Sequence, residues 1–167
     1  MVELLNGIGG IEIYGKNNII IYGGKIIATS VHGIRNSKGT VKFYEGEINA
    51  KMDGICMVEG SGSLLVTGGK ITGGTTGIVV SDSSNIIIGV NDGIVQRDCP
   101  IIISTKGCGI KISEGTFCFY DGKVGSIDKD KLIYGLTPEI PEGYKLIQGE
   151  KEIIDGVEYL TSYLEKQ

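Results

Sequence analysis

The sequence predicts an all-β chain, a right-handed parallel β-helix (β-solenoid) of about 22–23-residue turns closed by a C-terminal β-hairpin cap. Three observations carry that prediction. The first is an internal repeat. Gly39-Thr-Val-Lys-Phe-Tyr-Glu-Gly-Glu-Ile48 with Asp53-Gly-Ile55 is followed by Gly62-Ser-Leu-Leu-Val-Thr-Gly-Gly-Lys-Ile71 with Thr76-Gly-Ile78, and Gly46 and Gly69, like Gly54 and Gly77, are 23 residues apart. A unit this short cannot bury a core alone and must stack on its neighbours. The second is composition: 167 residues with 28 Gly, 3 Pro, no Trp and 41% apolar side chains. That suits many short strands and tight turns in one domain, and is the opposite of the low-hydrophobicity signature of disorder. The third is a pair of wholly apolar columns, Ile19, Val41, Leu64, Ile86 and Ile21, Phe43, Val66, Ile88. They share one parity, and alternate side chains of a strand point to opposite faces, so both columns face the core.

In chain order, Gly10-Ile-Glu-Ile-Tyr14 reads as the second half of an incomplete first turn. Asn18-Ile-Ile-Ile-Tyr-Gly-Gly-Lys-Ile26 with His32-Gly-Ile34 is a full copy, followed by the two clear ones. Asn85-Ile-Ile-Ile88 with Asp92-Gly-Ile94 reads as a later copy, and Pro100-Ile101 stands where the next Gly-Ile step is due. Corner glycines are expected to supply φ > 0 and room where a Cβ would clash. From Lys106 to Val124 two registers fit. Gly115-Thr-Phe-Cys-Phe-Tyr-Asp-Gly-Lys-Val124 matches Gly39 to Ile48 but not after a whole number of turns. Either an insertion lies around Thr105 to Ser113, which is preferred, or Glu114 to Phe117 takes the corner.

The solenoid is expected over residues 1–126 and a capping or connecting segment over 127–167. Past residue 127 the chain holds four of its glycines, five lysines and nine acidic residues, with Thr137-Pro-Glu-Ile-Pro-Glu-Gly143 as a turn-rich connector. Tyr144 to Ile147, Glu152 to Val157 and Tyr159 to Leu164 read as hairpin strands, with Asp155-Gly156 a two-residue turn signal. A cap covers the apolar interior and unpaired edge that a last turn exposes.

The outward columns are not dictated by packing. One reads Ile20, Lys42, Leu65, Ile87 and the next Tyr22, Tyr44, Thr67. Either simple β-propensity on an exposed sheet or a covering partner accounts for the apolar members. Tyr22 and Tyr44 beside polar residues on a flat sheet form a candidate carbohydrate-contacting surface. The net charge of −4 argues against nucleic acid and anionic membranes, which require a basic face. No apolar run reaches the length of a membrane span, so no membrane insertion is expected. The Met1-Val-Glu-Leu-Leu-Asn6 start lacks a basic and apolar signal pattern. The chain therefore reads as cytoplasmic, or as a piece of a longer exported protein.

The cadence Gly-x-Ile-x-Ile-x-Gly-Gly-x-Ile with a Gly-Ile step, closing on Gly115-Thr-Phe-Cys-Phe-Tyr-Asp-Gly-Lys-Val124 and Ile140-Pro-Glu-Gly-Tyr144, resembles the short Gly-rich β-solenoid repeats of Firmicutes-type bacterial surface proteins. More distantly it is similar to the pectate-lyase-like right-handed parallel β-helix. The first resemblance covers roughly residues 10–147 and implies a non-enzymatic structural or adhesive module, a segment of an extracellular or cell-surface protein. Its partners would be a carbohydrate or host-surface ligand, and self-association through an open first turn is a further expectation. The alternative is a polysaccharide-binding or polysaccharide-cleaving β-helix.

The chemistry supports catalysis weakly. Of the signatures of polygalacturonase-like hydrolases, which place paired carboxylates about the bond, only Val31-His32-Gly33 has a counterpart here. His32 is the single histidine and is expected to be a surface or turn residue; a three-histidine zinc site is excluded, and a His/Cys site would draw ligands from distant turns. A lyase would need Ca2+ carboxylates and a base, for which Asp82, Asp92 and Asp98 with Arg97 are the nearest candidates. Ca2+ belongs to that reading alone; otherwise no cofactor, metal or catalytic residue is expected, and the candidate ligand-binding residues are Tyr22, Tyr44, Asp82, Asp92 and Arg97. Gly7-Ile-Gly9-Gly10 is not a dinucleotide fingerprint, having no βαβ unit around it. Cys56, Cys99, Cys108 and Cys118 lack Cys-x-x-Cys spacing and are expected as reduced thiols. In an extracellular setting Cys99 with Cys108, or Cys108 with Cys118, would pair.

Overall fold

A computed structural model describes residues 10–128 and 132–167; the readings made on Met1 to Gly9 lie outside them. The described residues form strands and no helix. β1 (Ile11–Ile13) precedes five turns of three strands each. They are β2 (Asn18–Ile21), β3 (Lys25–Ala28) and β4 (Ile34–Asn36); β5 (Thr40–Phe43), β6 (Glu47–Ala50) and β7 (Asp53–Met57); β8 (Ser63–Val66), β9 (Lys70–Gly73) and β10 (Thr76–Val80). The last two turns are β11 (Asn85–Ile88), β12 (Ile101–Ser104) and β13 (Ile110–Ile112), then β14 (Thr116–Phe119), β15 (Lys123–Ser126) and β16 (Ile133–Gly135). The first strands of the turns stack into one sheet, the second strands into another, and the third strands with β1 into a last one. Every one of these pairings is parallel, so the chain is a parallel β-solenoid.

The inward columns are those the alternation predicts. Val41, Leu64, Ile86 and Phe117 stack in register, as do Phe43, Val66, Ile88 and Phe119, and all eight are buried. Ile26, Ile48, Ile71, Ile102 and Val124 form the matching column of the second sheet, and Ile34, Ile55, Ile78 and Ile110 that of the third. In-register stacking places like residues about 4.8 Å apart, so each turn fills the core with the same shape and the strand ladder satisfies its own backbone groups.

Two corners use glycine for different reasons. Between first and second sheets Gly24, Gly46, Gly69 and Gly122 adopt φ of 97°, 117°, 72° and 92°, a region where a side chain is strained. Between second and third sheets the need is space. A Cβ on Gly54 would lie 2.3 Å from Ile71 Cγ2 and 2.5 Å from the Gly77 carbonyl oxygen, and Gly33 and Gly109 meet Ile48 and Val124 in the same way. Gly54→Ala is accordingly expected to cost about 3 kcal/mol, the upper part of the range for overpacking. A urea titration in which Gly54→Ala unfolds at the wild-type midpoint would show that this corner has slack.

The later register differs from the sequence expectation. Ile78 pairs with Ile110, not Ile94, so Asp92-Gly-Ile94 is not the Gly-Ile step of the fourth turn. Ile101 pairs with Lys70, which puts Pro100-Ile101 in the slot of Gly69-Lys70. The insertion is therefore residues 89–100, between β11 and β12, and not Thr105 to Ser113. The step from Asn85 to Thr116 is 31 residues where that from Thr40 to Ser63 is 23. The inserted loop is held because buried Asp121 accepts hydrogen bonds from Val90 N at 2.7 Å and Gln96 N at 2.6 Å.

The third sheet runs past residue 126, since β16 pairs with β13. The hairpin of β17 (Tyr144–Ile154) and β18 (Val157–Lys166) then joins the second sheet, β18 running antiparallel to β15. Asp155 and Gly156 have φ of 51° and 80°, the doubly positive pair of a type I′ turn. Leu164 belongs to the main core, and Tyr144 and Leu146 pack against it, so the hairpin seals apolar surface that the last turn leaves open. Among the described residues no helix is long and apolar enough to cross a membrane.

Candidate functional site

The corner between first and second sheets builds a groove. Tyr22 and Tyr44 each directly follow a first-sheet strand, in the same slot of successive turns, and in-register stacking brings their rings face to face. The centroids are 5.1 Å apart with planes 9° from parallel, and Tyr22 is 72% exposed. Thr67 takes the slot in the third turn, and in the fourth the inserted loop begins there. Glycine pairs next to this ladder carry no side chains, so the backbone lines a groove of about 880 Å³ with Tyr44, Glu45, Glu47 and Lys70 on its walls. Its far side is closed by Cys99 and Ile101, at the end of the inserted loop and the start of β12, and by Asp155 at the hairpin tip. Asp155 ion-pairs with Lys70, and Lys25 with Glu47 at 3.0 Å. The groove thus offers a flat aromatic face, carboxylates, a lysine and backbone amides.

The other candidate ligand residues are dispersed. Asp82 is buried at the corner before β11, where its carboxylate accepts from Gly60 N and Ser84 N, both at 3.1 Å, and from the Ser84 hydroxyl. Asp92 is exposed in the inserted loop and accepts from Ile94 N at 3.0 Å. Arg97 donates to Glu152 at 2.5 Å and lies 3.7 Å above the Tyr163 ring. Lys123 bridges Asp98 at 2.6 Å and Glu152. Arg97 directly, and Asp98 through Lys123, therefore tie the inserted loop to the hairpin, while Asp82 and Asp92 are occupied by backbone amides.

A second cluster lies at the corner before the third sheet. His32 and Asp53 occupy the slot before the corner glycine in successive turns, and Nδ1 of His32 lies 2.9 Å from Oδ2 of Asp53. The pair is an ion-pair contact, and Nδ1 is buried with no partner in hydrogen-bond geometry. Cys56 on β7 joins them, its Sγ, the carboxylate and the imidazole nitrogen all lying within 4.8 Å of one another. Burial, then the Asp53 charge, pushes the Cys56 thiol up to about 11, which makes it a poor nucleophile in the protein as it stands. These ligand types come from adjacent turns, not distant ones. No disulfide joins the four cysteines, all of which are described.

Tyr22 and Tyr44 were legible from their shared slot. Glu45, Glu47 and Lys70 were not singled out, although they lie within the clearest repeat, and Asp155 was read as a turn residue only. The Asp53 partnership was also missed, but the repeated cue His32-Gly-Ile and Asp53-Gly-Ile carries it. A scan against protein-family models found no matching family, and searches of curated proteins and of solved structures found no match. Architecture alone defines the class: a five-turn parallel β-solenoid with an antiparallel hairpin on its second sheet.

Proposed function

We propose that the chain is a non-enzymatic adhesive β-solenoid module, a segment of a bacterial cell-surface protein, that holds a carbohydrate chain in the groove beside Tyr22 and Tyr44. The observation that carries this reading is the stacked tyrosine pair beside a polar groove, Tyr44 half-buried and lining it and Tyr22 exposed next to it. Sugar rings present C–H faces that pack on aromatic rings, while their hydroxyls need convergent donors and acceptors of the kind Glu45, Thr67 and Lys70 provide. Pre-formed stacking keeps the entropy cost of ordering the tyrosines low. The bacterial and surface setting rests on the resemblance of the repeats.

The test is a glycan array on the purified chain, followed by titration of any hit against the Tyr22→Ala/Tyr44→Ala double variant. We expect an extended glycan to bind and its Kd to rise about tenfold in the variant, equivalent to about 1.4 kcal/mol. Silence across the array removes carbohydrate as the ligand, and unchanged affinity in the variant moves the site elsewhere. Chain shortening of a bound polysaccharide would replace the adhesive reading with the polysaccharide-cleaving one.

A further inference from the structure

We propose that His32, Asp53 and Cys56 form a binding site for a divalent transition-metal ion of the zinc class, independent of the carbohydrate groove. The donor set is an imidazole nitrogen, a carboxylate oxygen and a thiol sulfur, the combination that borderline-soft ions such as Zn2+ take and that Ca2+ and Mg2+ do not. Ligand atoms around tetrahedral zinc stand about 3.3–3.8 Å apart, given metal–ligand bonds near 2.0–2.3 Å. Here Nδ1 and Oδ2 are 2.9 Å apart and all three atoms lie within 4.8 Å of one another, so side-chain rotations that part the first pair and draw the thiol in bring them into range.

The local polar arrangement is incomplete without a further partner. A buried nitrogen with no hydrogen bond is costly, yet Nδ1 of His32 is in that state. The Asp53 side chain is 11% exposed, and among the described residues His32 is its sole ion-pair contact. Arg35, directly across from Cys56 in the strand ladder, sends its guanidinium to Glu59 at 3.4 Å and does not complete the pair. A cation between the three groups satisfies the nitrogen and the carboxylate together, and coordination brings the thiol in as thiolate. The His32 side chain is 21% exposed, which leaves an entry route and an open fourth position for water. Strand β7 and the corner glycines hold two ligands on rigid backbone, the preorganisation such a site needs.

The experiment strips the full chain with a chelator and then equilibrates it with Zn2+ or with Co2+, whose thiolate complexes give a near-ultraviolet charge-transfer band. We expect a single ion retained per chain and the band present. Cys56→Ser is expected to remove the band. His32→Gln, at the partly exposed position, should weaken binding by at least about tenfold, the scale on which even outer-shell partners act. It should also abolish the rise in Tm that Zn2+ gives the wild type. Far-ultraviolet circular dichroism checks that both variants fold. Failure of the wild-type chain to retain the ion overturns the proposal. So does a band that survives Cys56→Ser, which would place the metal on Cys99, Cys108 or Cys118, or equal affinity in His32→Gln.

Discussion

Truncating Phe43 to alanine is expected to cost about 3–5 kcal/mol of folding stability, the range for deleting a buried aromatic ring. Phe43 is 1% exposed and is among the largest fully buried side chains. Its ring reaches the first-to-second corner: a Cβ on Gly69 would sit 2.8 Å from Phe43 Cε1. Neighbouring turns cannot collapse into the cavity, because their strands are fixed by ladder hydrogen bonds on both sides of β5. In a stacked array the loss acts through nearest-neighbour interfaces, so it weakens the turns above and below as well. Urea unfolding reads the effect as a fall in midpoint, with Phe43→Leu, which keeps most of the volume, falling less. A loss below about 1 kcal/mol would show that the core around β5 relaxes freely, against the packing described.

The second large effect is at Lys123. Its side chain is 8% exposed and its ammonium bridges Asp98 and Glu152, so Lys123→Met leaves the mostly buried Glu152 carboxylate short of a partner. Breaking such a pair costs about 3–5 kcal/mol. Arg97 and the Thr161 hydroxyl still reach Glu152, which puts the expectation near about 3 kcal/mol. The loss falls on the contact between hairpin and inserted loop, and with it on the wall of the groove formed by Asp155 and Cys99. Limited proteolysis within residues 89–100 should accelerate in the variant while the first three turns stay protected.

The same network sets a pH window. Burial alone would raise Glu152, but hydrogen bonds from Lys123 and Thr161 outweigh it and hold the carboxyl below its usual range. A hydrogen bond with Lys123 likewise holds Asp98 low. Both groups are depressed on folding, so their contribution is complete above the ordinary carboxylate range and is lost as pH falls through the lowered folded values. Burial alone would lower Lys123, and its bonds to Asp98 and Glu152 outweigh that and hold it above the ordinary lysine range. Its contribution is complete below that range and is lost as pH rises through the raised value. The network's contribution to stability should therefore be flat between the two limits and fall outside them. Lys123→Met should shrink the alkaline fall, leaving the part due to buried groups such as Cys56, which burial also raises, and flatten the acid one; an unchanged profile would mean that the three charges are not coupled.

Much of the fold is legible before any coordinates. Val41, Leu64 and Ile86 recur at one spacing and one parity, and period-two alternation leaves only one face for them. Asp155-Gly156 marks its turn because few residue pairs accept two positive φ values. The fourth turn is where local cues mislead. Asp92-Gly-Ile94 has the letters of a corner step, yet it lies in a loop, because pairing is decided by which strand completes the ladder on β10, and Ile110 does so. Gly54 is recognisable as a corner residue, but whether it serves conformation or space depends on Ile71, a residue of another turn.

The functional clusters divide along the same line. The amino-acid sequence by itself determined the solenoid, its inward columns and the Tyr22–Tyr44 slot, since each follows from a repeat with a fixed period. Tertiary structure alone decided that the inserted loop and the hairpin tip close the groove, and that Cys56 meets His32 and Asp53. The first joins residues whose separation obeys no period and forms only when the returning hairpin meets the stacked turns; the second needs the stacking of adjacent turns to bring the Cys56 side chain to the repeated corner slot.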